Sequence, residues 1–119
     1  MFLDKYYNQE NDKISFTRLQ ASDFAKQIAD DFNYLHDTDA KRFCVPGDLL
    51  FSLVLANSGL SQEMTFVFSG MVSNDIKLTF PKQIQNSAAI IDDAGKEYLR
   101  ITCQGKCTTD DQAIESLIR

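Results

Sequence analysis

The sequence is poor in several residue types whose scarcity narrows what the protein can be. It has no tryptophan, one histidine, two prolines and three cysteines among its 119 residues. An odd number of cysteines without regular spacing offers no disulfide framework and is typical of a reducing compartment. The segment from Cys103 to Cys107 holds two of the thiols, but with a single histidine in the chain it does not make a usual zinc site unless other ligands converge on it. We therefore expect no bound metal.

Dense basic runs and long apolar runs are missing as well. The net charge is −5 and the basic residues are scattered, so we expect neither a nucleic acid nor an anionic membrane surface as a partner. The longest apolar stretch, from Leu49 to Ala56, is much shorter than a membrane span. The first residues lack the basic flank and apolar core of a signal peptide. A cytoplasmic protein is the expectation.

Apolar and aromatic residues are plentiful enough for one core. Hydrophobic residues make up 44% of the chain, with nine phenylalanines and four tyrosines, and the length suits a single domain over 1–119. Lys13 to Thr17 alternates as a short strand does. A stripe with helical spacing follows and predicts a helix that ends near Asp31; its members are Ala21, Phe24, Ala25, Ile28 and Phe32.

The centre of the chain predicts a buried helix. Residues 48–56 are apolar on nearly all sides, and Asn57-Ser58-Gly59 is a good stop signal. Alternating patterns near 64–69, 76–80, 88–91 and 97–103 then predict four more strands. A helix that is apolar all round needs cover on every side, and an antiparallel sheet curved around it gives that cover. The predicted fold is therefore α+β of the hotdog type, with about five strands wrapped around a buried central helix.

Two further expectations concern assembly and length. A single sheet of this kind leaves an edge or a face to hide, so we expect a homodimer. Residues 110–118 look like the start of an amphipathic helix. The chain is thus either one complete hotdog-like domain or the N-terminal half of a longer double-hotdog chain.

One segment resembles a known catalytic signature. Asp31-Phe32-Asn33-Tyr34-Leu35-His36 is similar to the Asp-x-Asn-Pro-x-His signature of the MaoC-like, (R)-specific enoyl-CoA hydratases, which have the hotdog fold. Val45-Pro46-Gly47 resembles the motif that opens their central helix. The resemblance implies that Asp31 and His36 hold a water molecule and add it across the double bond of an enoyl thioester. Asn33 would support them, and the backbone N–H of Gly47 or its neighbour would bind the thioester carbonyl.

Elementary chemistry favours the same roles. Water needs a base before it attacks carbon, and the α carbon then needs a proton, so a carboxylate and an imidazole that share one water can serve both steps. The developing enolate needs a positioned donor, which a helix N-terminus provides. The substrate would be a thioester of coenzyme A or of a carrier protein, with no cofactor.

Two departures from the signature leave other functions open. Asp30 stands where the hydratases have glycine, and Tyr34 stands where they have proline, which would mark a divergent bacterial branch. These changes favour, as the second hypothesis, a non-catalytic module that binds an acyl thioester or a protein. A thioesterase is the third, because hotdog proteins also hydrolyse acyl thioesters.

Overall fold

The computed structural model of the protein describes residues 2–84 and 86–108. The helix that the sequence predicts over 110–118 lies outside the described residues, as does any continuation into a second domain. The side chains of Phe2, residues 60–62 and residues 105–108 are likewise not described.

Two α-helices and six strands make up the regular structure of the described chain. The helices are α1 (Arg18–Gln27) and α2 (Gly47–Ser58), and two short 3-10 helices span Phe2–Tyr6 and Tyr34–His36. The strands are β1 (Asn8–Glu10), β2 (Lys13–Ser15), β3 (Leu60–Phe68), β4 (Leu78–Thr79), β5 (Ser87–Asp92) and β6 (Glu97–Thr108).

All six strands belong to one antiparallel sheet in the order β1-β2-β4-β5-β6-β3. The predicted α+β class and antiparallel sheet are confirmed. The sheet has one strand more than expected because the segment before Lys13, which looks like a polar arm in the sequence, is β1. Asn11 and Asp12 both take positive φ angles, 51° and 65°, and a two-residue loop of this kind closes a hairpin tightly.

Helix α1 begins earlier and ends earlier than the apolar stripe predicts. Thr17 caps its start, because the threonine hydroxyl accepts from the Gln20 N–H at 3.1 Å while the Gln20 side chain accepts from the Thr17 N–H at 2.9 Å. This reciprocal capping box satisfies two backbone donors that would otherwise have no partner. Ile28 ends the helix, so Asp31 lies in the loop that follows and not in the last helical turn.

Helix α2 is the buried helix that the sequence predicts. Leu49, Leu50, Leu53 and Val54 are at most 2% exposed, and they share one apolar cluster with residues of β5 and β6, namely Ile90, Leu99 and Ile101. Gly59 ends the helix with a φ of 87°, and its N–H donates to the Leu55 carbonyl at 2.9 Å. Burial of these side chains is the main stabilising contribution of the fold.

The connector between His36 and α2 is held by polar contacts. Arg18 donates to the carbonyls of Thr38 and Ala40 at 3.1 and 2.7 Å, and its guanidinium lies 5.0 Å from the ring centre of Phe43. The Val45 N–H donates to the Val72 carbonyl at 2.8 Å. The connector is thereby fixed both to α1 and to the loop that precedes β4.

Candidate functional site

The site begins where α1 turns into the following loop. Asp30 has a φ of 52°, a left-handed conformation that aspartate adopts more readily than most residues. The Asp31 N–H then donates back to the Ala25 carbonyl at 2.7 Å. A left-handed residue and a long backward hydrogen bond of this kind resemble a Schellman closure, which satisfies a carbonyl at the end of the helix. Asp30 therefore sets the direction in which the Asp31 side chain leaves the helix.

Asn33 shapes the turn between Asp31 and His36. Asp31 Oδ1 accepts from the Asn33 N–H at 3.0 Å, and Asn33 Oδ1 accepts from the Leu35 N–H at 3.1 Å. The Asn33 carbonyl accepts from the His36 N–H at 3.0 Å. Aspartate and asparagine often form local turns of this kind. The observed contacts of Asn33 give it a positioning role, because its side-chain oxygen caps the 3-10 helix that carries His36.

Asp31 and His36 are in direct contact. Asp31 Oδ2 lies 3.2 Å from His36 Nε2, and the histidine side chain is 11% exposed while the aspartate side chain is 36% exposed. The loop thus buries the imidazole and leaves one side of the carboxylate open to solvent. A water molecule can reach the carboxylate from that side.

The other ring nitrogen of His36 faces a backbone acceptor. His36 Nδ1 lies 2.7 Å from the Cys44 carbonyl oxygen. A neutral imidazole carries one N–H and can donate to only one acceptor, whereas the imidazolium donates from both nitrogens. The carbonyl on one side and the carboxylate on the other are both acceptors, so each ring nitrogen of His36 lies beside an acceptor.

Cys44 packs against the same histidine. Its N–H donates to the Leu35 carbonyl at 2.9 Å, and its Sγ lies 3.8 Å from His36 Nδ1. Burial raises the pKa of the Cys44 thiol, and the nearby Asp31 carboxylate raises it further. Since the thiolate is the nucleophilic form of cysteine, the arrangement disfavours Cys44 as a nucleophile. Its carbonyl is the group that serves the site, and a spacing of eight residues from His36 carries no sequence signal for that contact.

Gly47 is the first residue of α2. Pro46 precedes it and provides no side-chain cap, while the Pro46 carbonyl accepts from the N–H groups of Leu49 and Leu50 at 3.0 and 3.4 Å. The N–H groups of Gly47 and Asp48 have no acceptor within the described parts of the chain. Unpaired donors at a helix start attract negative charge. This is the local arrangement that an oxyanion site requires.

A cleft of about 310 Å³ opens beside this helix start. Its lining consists of Gly47, Asp48, Phe51 and Phe68. A Cβ atom added to Gly47 would lie 3.2 Å from Cζ of Phe68, so any larger residue would push against the ring that closes the cleft. The sequence pattern did not single out Phe51 or Phe68, since their apolar character serves strand and helix packing equally well.

The structure brings together three of the four predicted site residues and places the fourth, Gly47, at a separate cleft. Asp31, Asn33 and His36 form one hydrogen-bonded group, whereas Asp31 and His36 do not line the cleft beside Gly47. Cys44 joins the two places, because it contacts His36 and precedes Gly47 by three residues. Three residues span at most about 11 Å, which limits the separation between the Cα atoms of Cys44 and Gly47.

Two kinds of feature are absent from the described residues. No helix within 2–84 and 86–108 has the length and apolar character needed to cross a membrane. Nowhere in the same ranges do three or more histidine, cysteine, aspartate or glutamate side chains gather as metal ligands would.

The observed features define a class of α+β protein with a buried histidine, a partly open carboxylate and a cleft at a helix start. The chain belongs to a family described as "Protein of unknown function (DUF3581)", whose sequence model matches residues 1–119. The comparison with curated proteins found no match, and neither did the comparison with solved structures.

Proposed function

We propose that the protein is a hotdog-type enzyme of the MaoC-like group that hydrates a trans-2-enoyl thioester. The observation that carries the proposal is the direct contact of Asp31 with His36 at 3.2 Å, on a loop whose continuation leads to the uncapped start of α2. The fold assignment is supported by the buried α2 and by an antiparallel sheet that contributes to the same apolar cluster.

The proposed reaction divides the work between two side chains. Asp31, open to solvent on one side, binds the water and takes its proton as the oxygen bonds to C3 of the substrate. The electrons of the C2–C3 double bond move towards the thioester carbonyl, whose oxygen is held by the N–H of Gly47. His36 then gives a proton to C2, and the product is a 3-hydroxyacyl thioester. Positioned acid and base groups each contribute about 10²- to 10⁴-fold in rate.

A direct assay separates hydration from its rivals. The loss of the conjugated enoyl absorbance of crotonyl-coenzyme A reports hydration, while a thiol-reactive dye reports hydrolysis to free coenzyme A. We expect loss of absorbance without release of thiol, and a fall of at least about 100-fold in Asp31→Asn because the base is removed. Release of thiol instead would assign the chain as a thioesterase.

Asp30 offers a matched control for this variant. It is the neighbouring acid in the same loop, and asparagine tolerates its left-handed φ. Asp30→Asn should keep most of the activity. An equal loss in both variants, or no turnover by the wild type with any acyl thioester tested, would contradict the proposal.

One observation favours a second candidate function. Both ring nitrogens of His36 already have partners, Asp31 and the Cys44 carbonyl, so the histidine can serve as a clamp that holds the loop. The protein would then be a non-catalytic module that binds an acyl thioester or another protein. Binding of a saturated acyl-coenzyme A without turnover of the enoyl form would support this candidate.

We also propose that two copies associate along β3. The two edges of the sheet differ, because β1 carries three exposed polar residues whereas β3 exposes Val67 and Phe68 at its C-terminal end, after the exposed Glu63 and Thr65. Charged and polar edges discourage pairing, and apolar ones permit it. Sedimentation should give the mass of a dimer, and Val67→Lys should shift it towards a monomer. A wild type that sediments as a monomer at high concentration would contradict this arrangement.

A further inference from the structure

A second cleft lies at the N-terminal end of the connector between His36 and α2, whereas the cleft beside Gly47 lies at its C-terminal end. Its volume is about 530 Å³, and it shares no lining residue with the cleft beside Gly47. It follows the 3-10 helix that carries His36. The residues around it are Tyr34, Asp37, Asp39, Ala40, Lys41 and Arg42.

Two adjacent cations in this cleft have no ion-pair or hydrogen-bond partner. Other basic side chains of the described ranges do have such partners; Lys26, for example, pairs with Asp37 at 2.9 Å, and Arg100 with Glu97 at 2.6 Å. Lys41 and Arg42 are exposed and make no such contact with any described residue. Unpaired cations side by side at a concave surface form a ready site for phosphate groups.

An aromatic ring and a carboxylate complete the cleft. The Tyr34 side chain is 71% exposed, so its ring is available for a planar ligand to stack on. Asp37 is neutralised by Lys26, which leaves Asp39 as the one acidic group of the lining without a partner among the described residues. A carboxylate of this kind can accept from a ribose hydroxyl or an exocyclic amine.

We infer that this cleft binds a nucleotide, with the phosphates on Lys41 and Arg42 and the base against Tyr34. The nucleotide would be either the adenosine end of a coenzyme A thioester or a free nucleotide. The assignment of the nucleotide to a coenzyme A thioester rests on the proposed function. The five residues from Arg42 to Gly47 span at most about 18 Å, a separation that the pantetheine arm can bridge between this cleft and the helix start of α2.

Binding by calorimetry tests the inference without any need for turnover. The probes are coenzyme A, adenosine 3′,5′-bisphosphate, ATP and pantetheine, each with the full chain. We expect coenzyme A and the bisphosphate to bind and pantetheine alone to bind much more weakly. Lys41→Ala/Arg42→Ala should weaken coenzyme A binding by about 10-fold or more, since charged hydrogen bonds to phosphate are lost, and Tyr34→Ala should weaken it by about 5-fold or more.

Matched variants make the result specific to the cleft. Lys77→Ala/Lys82→Ala removes two exposed, unpartnered cations elsewhere on the described surface, and should leave the Kd unchanged. Tyr34→Phe keeps the ring and should bind as the wild type does. Failure of the bisphosphate to bind, or an equal loss in both double variants, would overturn the inference.

The outcome also separates the two sources and the two proposals. Coenzyme A binding much more tightly than ATP supports the thioester as the source, while ATP binding as tightly supports a free nucleotide. If the chain binds coenzyme A through Lys41 and Arg42 but hydrates no enoyl thioester, this inference stands and the proposed reaction is wrong. If the chain hydrates crotonyl-pantetheine as fast as crotonyl-coenzyme A, the proposed reaction stands, but the cleft is not the site that binds the nucleotide of the substrate.

Discussion

The region around α2 and the segment from residue 28 to residue 46 differ in how much of their stabilisation comes from polar contacts. Helix α2 contributes almost completely buried leucines to the apolar core. The segment from 28 to 46 has little regular structure beyond the 3-10 turn. It adds Phe43 and Val45 to the apolar core, and the path of its backbone is fixed by polar contacts of Arg18, Asp31 and His36. Apolar burial is non-directional, whereas hydrogen bonds fix geometry. The second kind of stabilisation is the one that can place reacting groups.

The two regions should therefore respond differently to truncation. Leu53→Ala removes a side chain that is 2% exposed in α2, and we expect it to lower the free energy of unfolding by about 2–5 kcal/mol because it leaves a cavity. Denaturant unfolding followed by circular dichroism measures the change. Asn57→Ala, on the exposed side of the same helix, should change stability by less than about 0.5 kcal/mol. Equal effects of the two variants would contradict the description of the core.

Arg18→Ala should have a smaller and more local effect. It removes the hydrogen bonds to the Thr38 and Ala40 carbonyls, and we expect a loss of about 1–2 kcal/mol. Hydrogen exchange should speed up over residues 37–46 and stay unchanged in β5 and β6. Arg18→Lys keeps the charge but not the planar fork, so it should recover only part of the loss. If hydrogen exchange in Arg18→Ala instead speeds up equally throughout the protein, the connector is not an independent unit.

The smallest effect that we expect concerns alkaline pH. The pKa of Cys44 is raised above its usual value of 9.0 by burial and by Asp31, so the unfolded chain loses this proton at a lower pH than the folded chain. The contribution of this thiol to the free energy of unfolding is therefore fully present below pH 9.0. It is lost as the pH rises towards the pKa of the thiol in the folded chain. The pKa values of Tyr7 and Tyr98 are raised above 10.0 and act in the same direction at higher pH.

Cys44→Ala isolates the thiol. Its free energy of unfolding should depend less steeply on pH just above 9.0 than that of the wild type, as measured by denaturant titrations in a pH series. A wild type that gains stability over this range would show that the thiol is not buried as described.

Sequence patterns predicted the core better than they predicted the site. The apolar run of α2 and its Gly59 stop identify the buried helix, because burial on all sides leaves a direct trace in composition. The hairpin at Asn11 and Asp12 was missed because its first strand is short, polar and exposed, so it has no alternation to detect. The early end of α1 was missed because the apolar stripe continues to Phe32 beyond the last helical residue.

The candidate site was only partly visible for a different reason. The spacing of Asp31, Asn33 and His36 indicated a local group, and the three residues do form one hydrogen-bonded cluster. The contact of His36 with the Cys44 carbonyl involves backbone, which the identity of a residue does not encode. Of the cleft residues, Phe51 lies one turn along α2 from Gly47, whereas Phe68 comes from β3, so only the folded chain brings Phe68 to Gly47.

The most direct test of the central claim combines activity and stability in two variants, one from each region. Asp31→Asn and Leu53→Ala are each measured for crotonyl-coenzyme A hydration and for free energy of unfolding. We predict that Asp31→Asn loses at least about 100-fold in kcat/KM and less than about 1 kcal/mol of stability, since the carboxylate is partly exposed. Leu53→Ala should lose stability while the fraction that stays folded keeps its turnover. An Asp31→Asn variant that unfolds like Leu53→Ala, or that hydrates the substrate as fast as the wild type, would contradict the claim that the polar segment is built for chemistry.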